Sequence, residues 1–273
     1  MGRPPGQSTI REPARPDNAT PSTPPRDGRE DLDAQYVESF VDRWDDLIDW
    51  DRRQEAESGF FVEQLRRRGV RRVLDAATGT GYHSVTLIEA GFEVTSIDAS
   101  PEMLRRAAVN GSRRGHELRL VQADWRELDQ VLDERFDAIV CLGSSFPHVF
   151  SAEGRARALA QFHAALAPGG VLIVDQRNFD AILRGRYRPA ASVYYCGEGV
   201  SVSVDHASED LVRFRYDFTD GASYTLQVFP LRSEDTRTLL FQAGFGKVVT
   251  YGDFATDFDP DAAGFIIHVA EKG

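Results

Sequence analysis

Short apolar runs alternate with segments of helical periodicity through the middle of the chain. Five of these runs fit buried β-strands, at Val73–Leu74, Phe92–Ile97, Leu118–Gln122, Phe136–Leu142 and Val171–Asp175. Helical patterns lie between them, at His83–Ala90, from Ser100 to about Arg113, and at Ala156–Leu166. Strands that alternate with helices predict an α/β fold in which helices cover a mostly parallel sheet.

The two ends of the chain have different patterns. Residues 185–230 alternate apolar and polar positions, which predicts a small antiparallel β insertion, or lid. A helix at Ser233–Gln242 and strands at Lys247–Tyr251 and Phe265–Ala270 then predict a hairpin at the sheet edge. Residues 1–30 contain almost no large apolar side chains and predict a disordered tail, which leaves one domain over residues 31–273.

Between the tail and the first strand, aromatic and aliphatic residues recur at helical spacing beside dense charge. Two helices joined near Trp50–Asp51 fit the pattern from Tyr36 to Leu65. Most of these aromatic side chains fit packing roles. Tyr36 and Trp44 also precede the first strand in a position from which they can cover a ligand.

The stretch Arg72–Ser84 combines a strand, an acidic residue and a glycine turn that opens a helix. Asp75 ends the strand, and Gly79 and Gly81 allow the backbone to turn tightly and approach a ligand. Asp98 ends the next strand, about 20 residues further on, where doubly wound folds place a carboxylate that binds ribose hydroxyls. This spacing predicts a nucleotide-type site.

Ligands of such sheets bind outside the carboxyl ends of the strands. The sequence therefore predicts one crevice faced by residues from five strand ends, namely Ala77, Asp98, Asp124, Leu142 and Arg177. At Asp124-Trp125, a carboxylate and a flat ring fit an adenine; a helix-capping Asp beside a buried Trp is the alternative. Arg177 fits a carboxylate-bearing substrate because its guanidinium binds carboxylates in bidentate fashion; pairing with Asp175 or Asp180 is the alternative there.

Two enzyme classes share a strand, an acidic residue and a Gly-x-Gly turn. A nicotinamide dehydrogenase needs a third glycine where this chain has Ser84. The acidic Asp75, the Ala123-Asp124-Trp125 motif and the closing hairpin favour S-adenosylmethionine instead. An NAD oxidoreductase is the less favoured alternative.

Residues 36–272 resemble the glycine N-methyltransferase family, and most closely the bacterial and archaeal glycine/sarcosine N-methyltransferases of betaine synthesis. The similar stretches include RWDDLIDWDRR, VLDAATGTGYHSVTLIEAGFEVTSIDASPEML, VQADW, FDAIVCLGSSFPH and GGVLIVDQRNFDAIL. The resemblance implies a Rossmann-like class I S-adenosylmethionine-dependent methyltransferase fold, with a mostly parallel seven-stranded sheet and the β insertion as a lid. It implies methylation of glycine to sarcosine and of sarcosine to dimethylglycine.

The resemblance also implies residue roles. The methyl donor would be bound by Tyr36 and Trp44 at its sulfonium end, by Arg53, or its neighbour Arg52, at the methionine carboxylate, and by Ala77, Gly79, Asp98, Asp124, Trp125, Leu142 and His148. The substrate would be bound by Ser144, Arg177, Tyr195 and Tyr216, and the catalytic residues would be Tyr36, Arg177 and Tyr216. The family usually has Asn at the position of Ser144, so another small amine or carboxylate-bearing acceptor stays open, as does a non-catalytic S-adenosylmethionine-binding protein.

The net charge, the cysteine count and the lengths of the apolar segments limit the binding partners and the cellular compartment that we expect for this protein. The formal net charge of -11 argues against nucleic acid or an anionic membrane, which require a basic surface. Cys141 and Cys196 are too few for a disulfide framework and favour a reducing cytoplasm. No apolar segment approaches the roughly 20 residues that span a bilayer. We expect a cytoplasmic enzyme without a metal, as a monomer or homo-oligomer, that acts on a small amino acid.

Overall fold

A seven-stranded sheet forms the centre of the molecule. The computed structural model describes residues 34–187 and 197–273. The strands of this part are β1 Arg72–Asp75, β2 Glu93–Asp98, β3 Arg119–Gln122, β4 Phe136–Cys141, β5 Leu166–Arg177, β6 Val200–Ala207, β7 Val212–Phe218, β8 Ser223–Val228, β9 Phe245–Gly252 and β10 Phe265–Lys272. The large sheet has the order β3-β2-β1-β4-β5-β10-β9, with β1 to β5 parallel and β10 antiparallel to both of its neighbours. The predicted mostly parallel seven-stranded sheet and closing hairpin are confirmed.

The helices pack on both faces of this sheet. Their bounds are α1 Glu38–Val41, α2 Trp44–Ile48, α3 Trp50–Glu57, α4 Phe60–Arg66, α5 Tyr82–Glu89, α6 Pro101–Arg113, α7 Ala152–Ala165, α8 Phe179–Leu183 and α9 Ser233–Gln242. Phe162 and Leu240, on α7 and α9, are fully buried in the core of one face, and Leu65 and Leu87, on α4 and α5, are buried in the core of the other. Because both faces are covered, the inner strands are apolar almost without interruption.

A second sheet forms the predicted β insertion. Strands β6, β7 and β8 pair in antiparallel order, and one face of this sheet buries Phe214 and Tyr216. The same hydrophobic core includes Phe40 of α1 and Leu47 of α2. The small sheet is therefore packed against the helices that precede β1.

The helices before β1 differ from the prediction. Two helices were expected between Tyr36 and Leu65, but the chain forms four short ones, α1 to α4. Asp49 has a φ of 50° and Ser58 a φ of 46°, and a residue in the left-handed conformation ends a helix. The hydrophobic period continues across these breaks, so it did not reveal them.

Capping explains how two further helices begin. Ser100 Oγ accepts the Met103 N–H at 3.2 Å and Pro101 occupies the first helical position, as predicted for α6. Ser151 Oγ accepts the Gly154 N–H at 2.9 Å, so α7 begins four residues before the predicted Ala156. Within residues 34–187 and 197–273, no helix is both long and apolar enough to cross a bilayer. The predicted tail lies outside the described residues, and its boundary stays a prediction.

Candidate functional site

A deep cleft opens at the carboxyl ends of β1, β2 and β4, between the glycine turn and the helices before β1. It contains about 1210 Å³ of space, its open mouth included, which accommodates a nucleotide-sized ligand. All of the residues predicted to bind the methyl donor line it: Tyr36, Trp44, Arg53, Ala77, Gly79, Asp98, Asp124, Trp125, Leu142 and His148. The strand order reverses between β1 and β4, so the cleft lies at the switch point where α/β sheets bind ligands.

The glycine turn is held by a buried hydroxyl network. Asp75 is fully buried, and burial raises the pKa of its carboxyl group. Ser84 Oγ donates to Asp75 Oδ2 at 2.7 Å and lies 2.8 Å from Thr78 Oγ1 and 2.6 Å from Ser96 Oγ. Ser84 stands where a dehydrogenase would have its third glycine. Its hydroxyl supplies the hydrogen bond that a buried carboxylate requires.

Asp98 fixes the turn from the neighbouring strand. Its carboxylate accepts the N–H of Gly79 and the N–H of Ser100, each at 2.9 Å. Burial, with a smaller contribution from the charge of Asp75, raises the pKa of Asp98 to about 6 in spite of these hydrogen bonds. Gly79 has a φ of 52°, which favours glycine. Each carboxylate oxygen retains a second lone pair, so Asp98 can still accept from ribose hydroxyls.

The Asp124-Trp125 pair has a structural role as well as a place in the cleft. The Asp124 carboxylate accepts the Arg126 N–H at 2.8 Å and pairs with the Arg126 guanidinium at 2.5 Å. Burial acts to raise the pKa of Asp124, but Arg126 outweighs it and holds the pKa below its usual value. The Trp125 indole N–H donates to the Ala76 carbonyl, and its ring packs against Phe162. Asp124 therefore caps the 3₁₀ helix Trp125–Gln130, as the helix-capping alternative expects, but Trp125 is only half-buried, and both residues line the cleft.

Three aromatic residues, Tyr36, Trp44 and His148, also line the cleft. The Tyr36 hydroxyl is hydrogen-bonded to His148 Nε2 at 2.9 Å, and the Tyr36 and Trp44 rings meet edge to face at 5.5 Å. Burial lowers the pKa of His148 to about 4, so its imidazole is uncharged at neutral pH. The His148 ring therefore holds the Tyr36 hydroxyl without adding charge to the cleft.

The structure distinguishes between the two adjacent arginines of α3. Arg53 is buried and lines the cleft, and its Nε donates to Glu57 Oε1 at 2.7 Å. Arg52 is exposed and forms ion pairs with Asp49 and Glu198 at the surface. Of the two, Arg53 has the position of a ligand-binding group.

Arg177 lies outside the lining of this cleft, so the prediction that five strand ends face one crevice is wrong for this residue. Arg177 is 3% exposed, and its guanidinium lies 4.2 Å from the centre of the Phe214 ring. Nη1 donates to the Tyr187 hydroxyl at 2.9 Å and Nη2 to the Tyr216 hydroxyl at 3.5 Å. Strand β5 continues beyond its pairing with β4, which ends at Val174, and pairs with β10 as far as Arg177, whose side chain packs on Phe214 of the small sheet.

The loop after β4 connects the cleft with the region around Arg177. Gly143 and Ser145 line the cleft, whereas Ser144 Oγ accepts the backbone N–H of Arg177 at 3.1 Å. The Asp175 carboxylate accepts the N–H groups of Gly143 and Ser144 at 3.1 and 2.6 Å. Ser144 has a φ of 59°, a conformation that this pair of hydrogen bonds supports. Tyr195, the remaining predicted substrate residue, lies outside the described residues.

Comparison with known proteins assigns the family. A methyltransferase domain family matches residues 73–170. The glycine/sarcosine N-methyltransferase of Halorhodospira halochloris is 56% identical over 241 residues, which cover 87% of this chain and 89% of the relative. That of Aphanothece halophytica is 48% identical over 238 residues, with 87% and 90% covered. This chain belongs to the glycine/sarcosine N-methyltransferase family.

The fold agrees with that assignment. An S-adenosylmethionine-dependent methyltransferase from Clostridium acetobutylicum superimposes with a TM-score of 0.68 at 18% sequence identity, covering 86% of this chain and 98% of the other. The predicted class I methyltransferase fold is confirmed. The lining of the cleft also has polar groups that suit S-adenosylmethionine, among them a carboxylate at Asp98 and a guanidinium at Arg53. The described residues contain no cluster of three His, Cys, Asp or Glu side chains that could hold a metal ion.

Sequence reasoning missed several residues of this glycine/sarcosine N-methyltransferase family member. Glu57 accepts from Arg53 and lies within hydrogen-bond distance of His83, and Tyr187 accepts from Arg177. Glu57 and Tyr187 belong to no strand-end motif, and the position of His83, two residues after Gly81, does not predict a contact with Glu57. The sequence signal for Glu57 was its spacing four residues after Arg53 on one helix, a spacing that places two side chains side by side.

Proposed function

We propose that this protein transfers a methyl group from S-adenosylmethionine to the amine of glycine, giving sarcosine, and methylates sarcosine to dimethylglycine. The observation that carries the proposal is a buried arginine, Arg177, held beside a methyl-donor cleft in a chain that is 56% identical to a glycine/sarcosine N-methyltransferase. Glycine offers only a carboxylate and an amine for recognition. A fixed guanidinium is the protein group best suited to the carboxylate.

We propose that residues lining the cleft bind the methyl donor. Asp98 would accept from the ribose hydroxyls, Asp124 and Trp125 would lie at the adenine, and Arg53 would bind the methionine carboxylate. Bound S-adenosylmethionine supplies an activated methyl group on a sulfonium. The chain's own task is to orient the two substrates and exclude water, and a covalent enzyme intermediate is unnecessary.

Acceptor binding would use Arg177 with the phenol oxygens around it. Tyr187 and Tyr216 accept hydrogen bonds from Nη1 and Nη2, which fixes the plane of the guanidinium. The Ser144 hydroxyl accepts from the Arg177 backbone. We propose that Ser144 orients Arg177 and that the shorter side chain at this position, where the family usually has Asn, leaves the carboxylate clamp in place.

The amine would be positioned by oxygen atoms. We propose that the Tyr36 hydroxyl, held by the uncharged His148, faces the amine end of the acceptor at the boundary between the two regions. An oxygen there stabilises the positive charge that the nitrogen gains as it attacks the methyl carbon. The acceptor attacks as the neutral amine, so its ammonium proton is lost to solvent before the attack, and S-adenosylhomocysteine leaves as the methyl–sulfur bond breaks.

The proposal also covers the cellular compartment of the enzyme and its independence of a metal ion. The buried free thiol of Cys141 fits a reducing compartment such as the cytoplasm. Displacement at an activated sulfonium needs no Lewis acid, so we propose that the enzyme works without a metal. Activity that persists undiminished after exhaustive chelation is the expected result.

Mass spectrometry tests the reaction directly. The purified chain is incubated with S-adenosylmethionine and glycine, sarcosine or dimethylglycine, and products are quantified against S-adenosylhomocysteine. Sarcosine and dimethylglycine in amounts equal to the S-adenosylhomocysteine formed are the expected outcome. Binding of S-adenosylhomocysteine with no product from any acceptor would instead indicate a donor-binding protein or a different acceptor amine.

A further inference from the structure

Four polar side chains form a buried cluster beneath the methionine end of the cleft. Arg53 and Glu57, one helical turn apart on α3, meet Tyr82 and His83 at the start of α5, and each is less than a tenth exposed. Glu57 Oε1 accepts from Arg53 Nε at 2.7 Å and lies 3.1 Å from His83 Nε2, and Tyr82 donates to Glu57 Oε2 at 3.4 Å. Both carboxylate oxygens of Glu57 are therefore engaged.

Glu57 is ionised in this cluster. Burial acts to raise the pKa of its carboxyl group, but the neighbouring His83 and Arg53 outweigh burial and hold the pKa below its usual value. Because charges that lose their partner inside a protein are costly, Arg53 and Glu57 are held together strongly. The Arg53 guanidinium also lies 5.0 Å from the centre of the Tyr82 ring, so it is confined on two sides.

We propose that Glu57 is a positioning residue that makes the donor site selective for ligands with a carboxylate at the methionine end. A guanidinium is planar and its donors have a fixed geometry. Binding at Nε therefore determines where the Nη donors of Arg53 lie. The proposal rests on the proposed function only in placing the methionine end of the donor at Arg53.

Two ligands that differ in a single group test this role. S-Adenosylhomocysteine and its decarboxylated analogue are titrated calorimetrically into the full chain, and the ratio of their dissociation constants is the selectivity. An oriented arginine makes this ratio roughly 10- to 150-fold, the range for a hydrogen bond between charged groups. Glu57→Leu, which removes both acceptor oxygens, is expected to reduce the selectivity at least about 10-fold, with the analogue's dissociation constant changed less than about 3-fold.

A conservative variant and a double variant distinguish a role of Glu57 in positioning Arg53 from a role in stabilising the fold. Glu57→Gln keeps an acceptor of the same length for Arg53 Nε and is expected to restore most of the selectivity. The ratio in the double variant Arg53→Leu/Glu57→Leu should equal that in Arg53→Leu alone, because Glu57 acts through Arg53. Should Glu57→Leu not accumulate as folded protein, Glu57→Asp, which withdraws the carboxylate by one methylene, provides the same comparison.

The matched control is an arginine–glutamate pair of the same spacing at the surface. Arg67, the residue after α4, donates from Nε to Glu63 Oε1 at 2.6 Å, and Glu63→Leu should leave the selectivity within about 2-fold of wild type. Equal weakening of both ligands by Glu57→Leu, or an unchanged ratio, would overturn the proposal. These measurements need no acceptor, so a failure to methylate glycine and a failure of this proposal are distinguishable.

Discussion

Replacing Arg177 with methionine is the most informative perturbation of the acceptor site. Methionine keeps much of the volume beside Phe214, whose ring centre lies 4.2 Å from the guanidinium, but it removes every donor. Truncating one partner of a buried, hydrogen-bonded charge pair costs about 2–5 kcal/mol. Arg177→Met should therefore lower kcat/KM for glycine by about 30- to 5000-fold.

The loss should fall on KM, because the carboxylate of glycine is bound equally in the ground state and in the transition state. Initial rates are measured over a range of glycine concentrations at saturating S-adenosylmethionine, and S-adenosylhomocysteine affinity is measured in parallel. The donor affinity should change by less than about 3-fold, since Arg177 is absent from the lining of the donor cleft.

Arg184 provides the matched control. It is exposed at the end of α8 and pairs with Asp180 and Asp261. Arg184→Met should leave kcat/KM for glycine within about 2-fold of wild type because surface ion pairs contribute little. If Arg177→Met retained kcat/KM within about 3-fold of wild type, Arg177 would not bind the carboxylate of the acceptor and the reasoning would be refuted.

Three further predictions concern the donor site, the buried network and the clamp. Because the charged carboxylate of Asp98 is the better acceptor for ribose hydroxyls, S-adenosylhomocysteine affinity should fall as pH decreases through about 6 and level off above it; calorimetry at several pH values should find this dependence abolished in Asp98→Asn. Ser84→Ala removes a donor to buried Asp75 and should lower the free energy of unfolding by about 1–3 kcal/mol in urea melts, whereas an unchanged midpoint would contradict the network's role. Tyr187→Phe removes one acceptor from Arg177 and should raise KM for glycine by about 3- to 10-fold at constant kcat; a fall in kcat alone would argue against an orienting role.

The polar residues at the ends of neighbouring strands were predictable from the sequence because their positions depend on short-range spacing along the chain. The interval from the glycine turn to Asp98 follows from one strand–helix–strand unit, and the structure joins the two through the N–H of Gly79. The four-helix arrangement before β1 was not predictable from periodicity. Left-handed residues such as Asp49 end a helix without interrupting the hydrophobic pattern.

Contacts between segments far apart in the chain could not be predicted from the sequence. Glu57 meets His83 across 26 residues, and Arg177 meets Tyr216 across 39, in places where no spacing rule applies. The length of β5 was underestimated for a related reason. Its end is fixed by pairing with β10, where Arg177 lies opposite Phe265, and a pairing partner 88 residues away leaves no local signal.

The short helices before β1 connect the two halves of the site through a continuous set of rings. Trp44 lines the donor cleft, and Phe40 contacts it at 5.2 Å while also contacting Tyr216, beside Arg177, at 5.4 Å. A displacement of this segment by one ligand therefore reaches the residues around the other. Thermodynamic linkage requires that any change in glycine affinity caused by the donor be matched by an equal change in donor affinity caused by glycine. The order in which the two substrates bind can thus be set by packing around Phe40, a side chain that takes no part in methyl transfer.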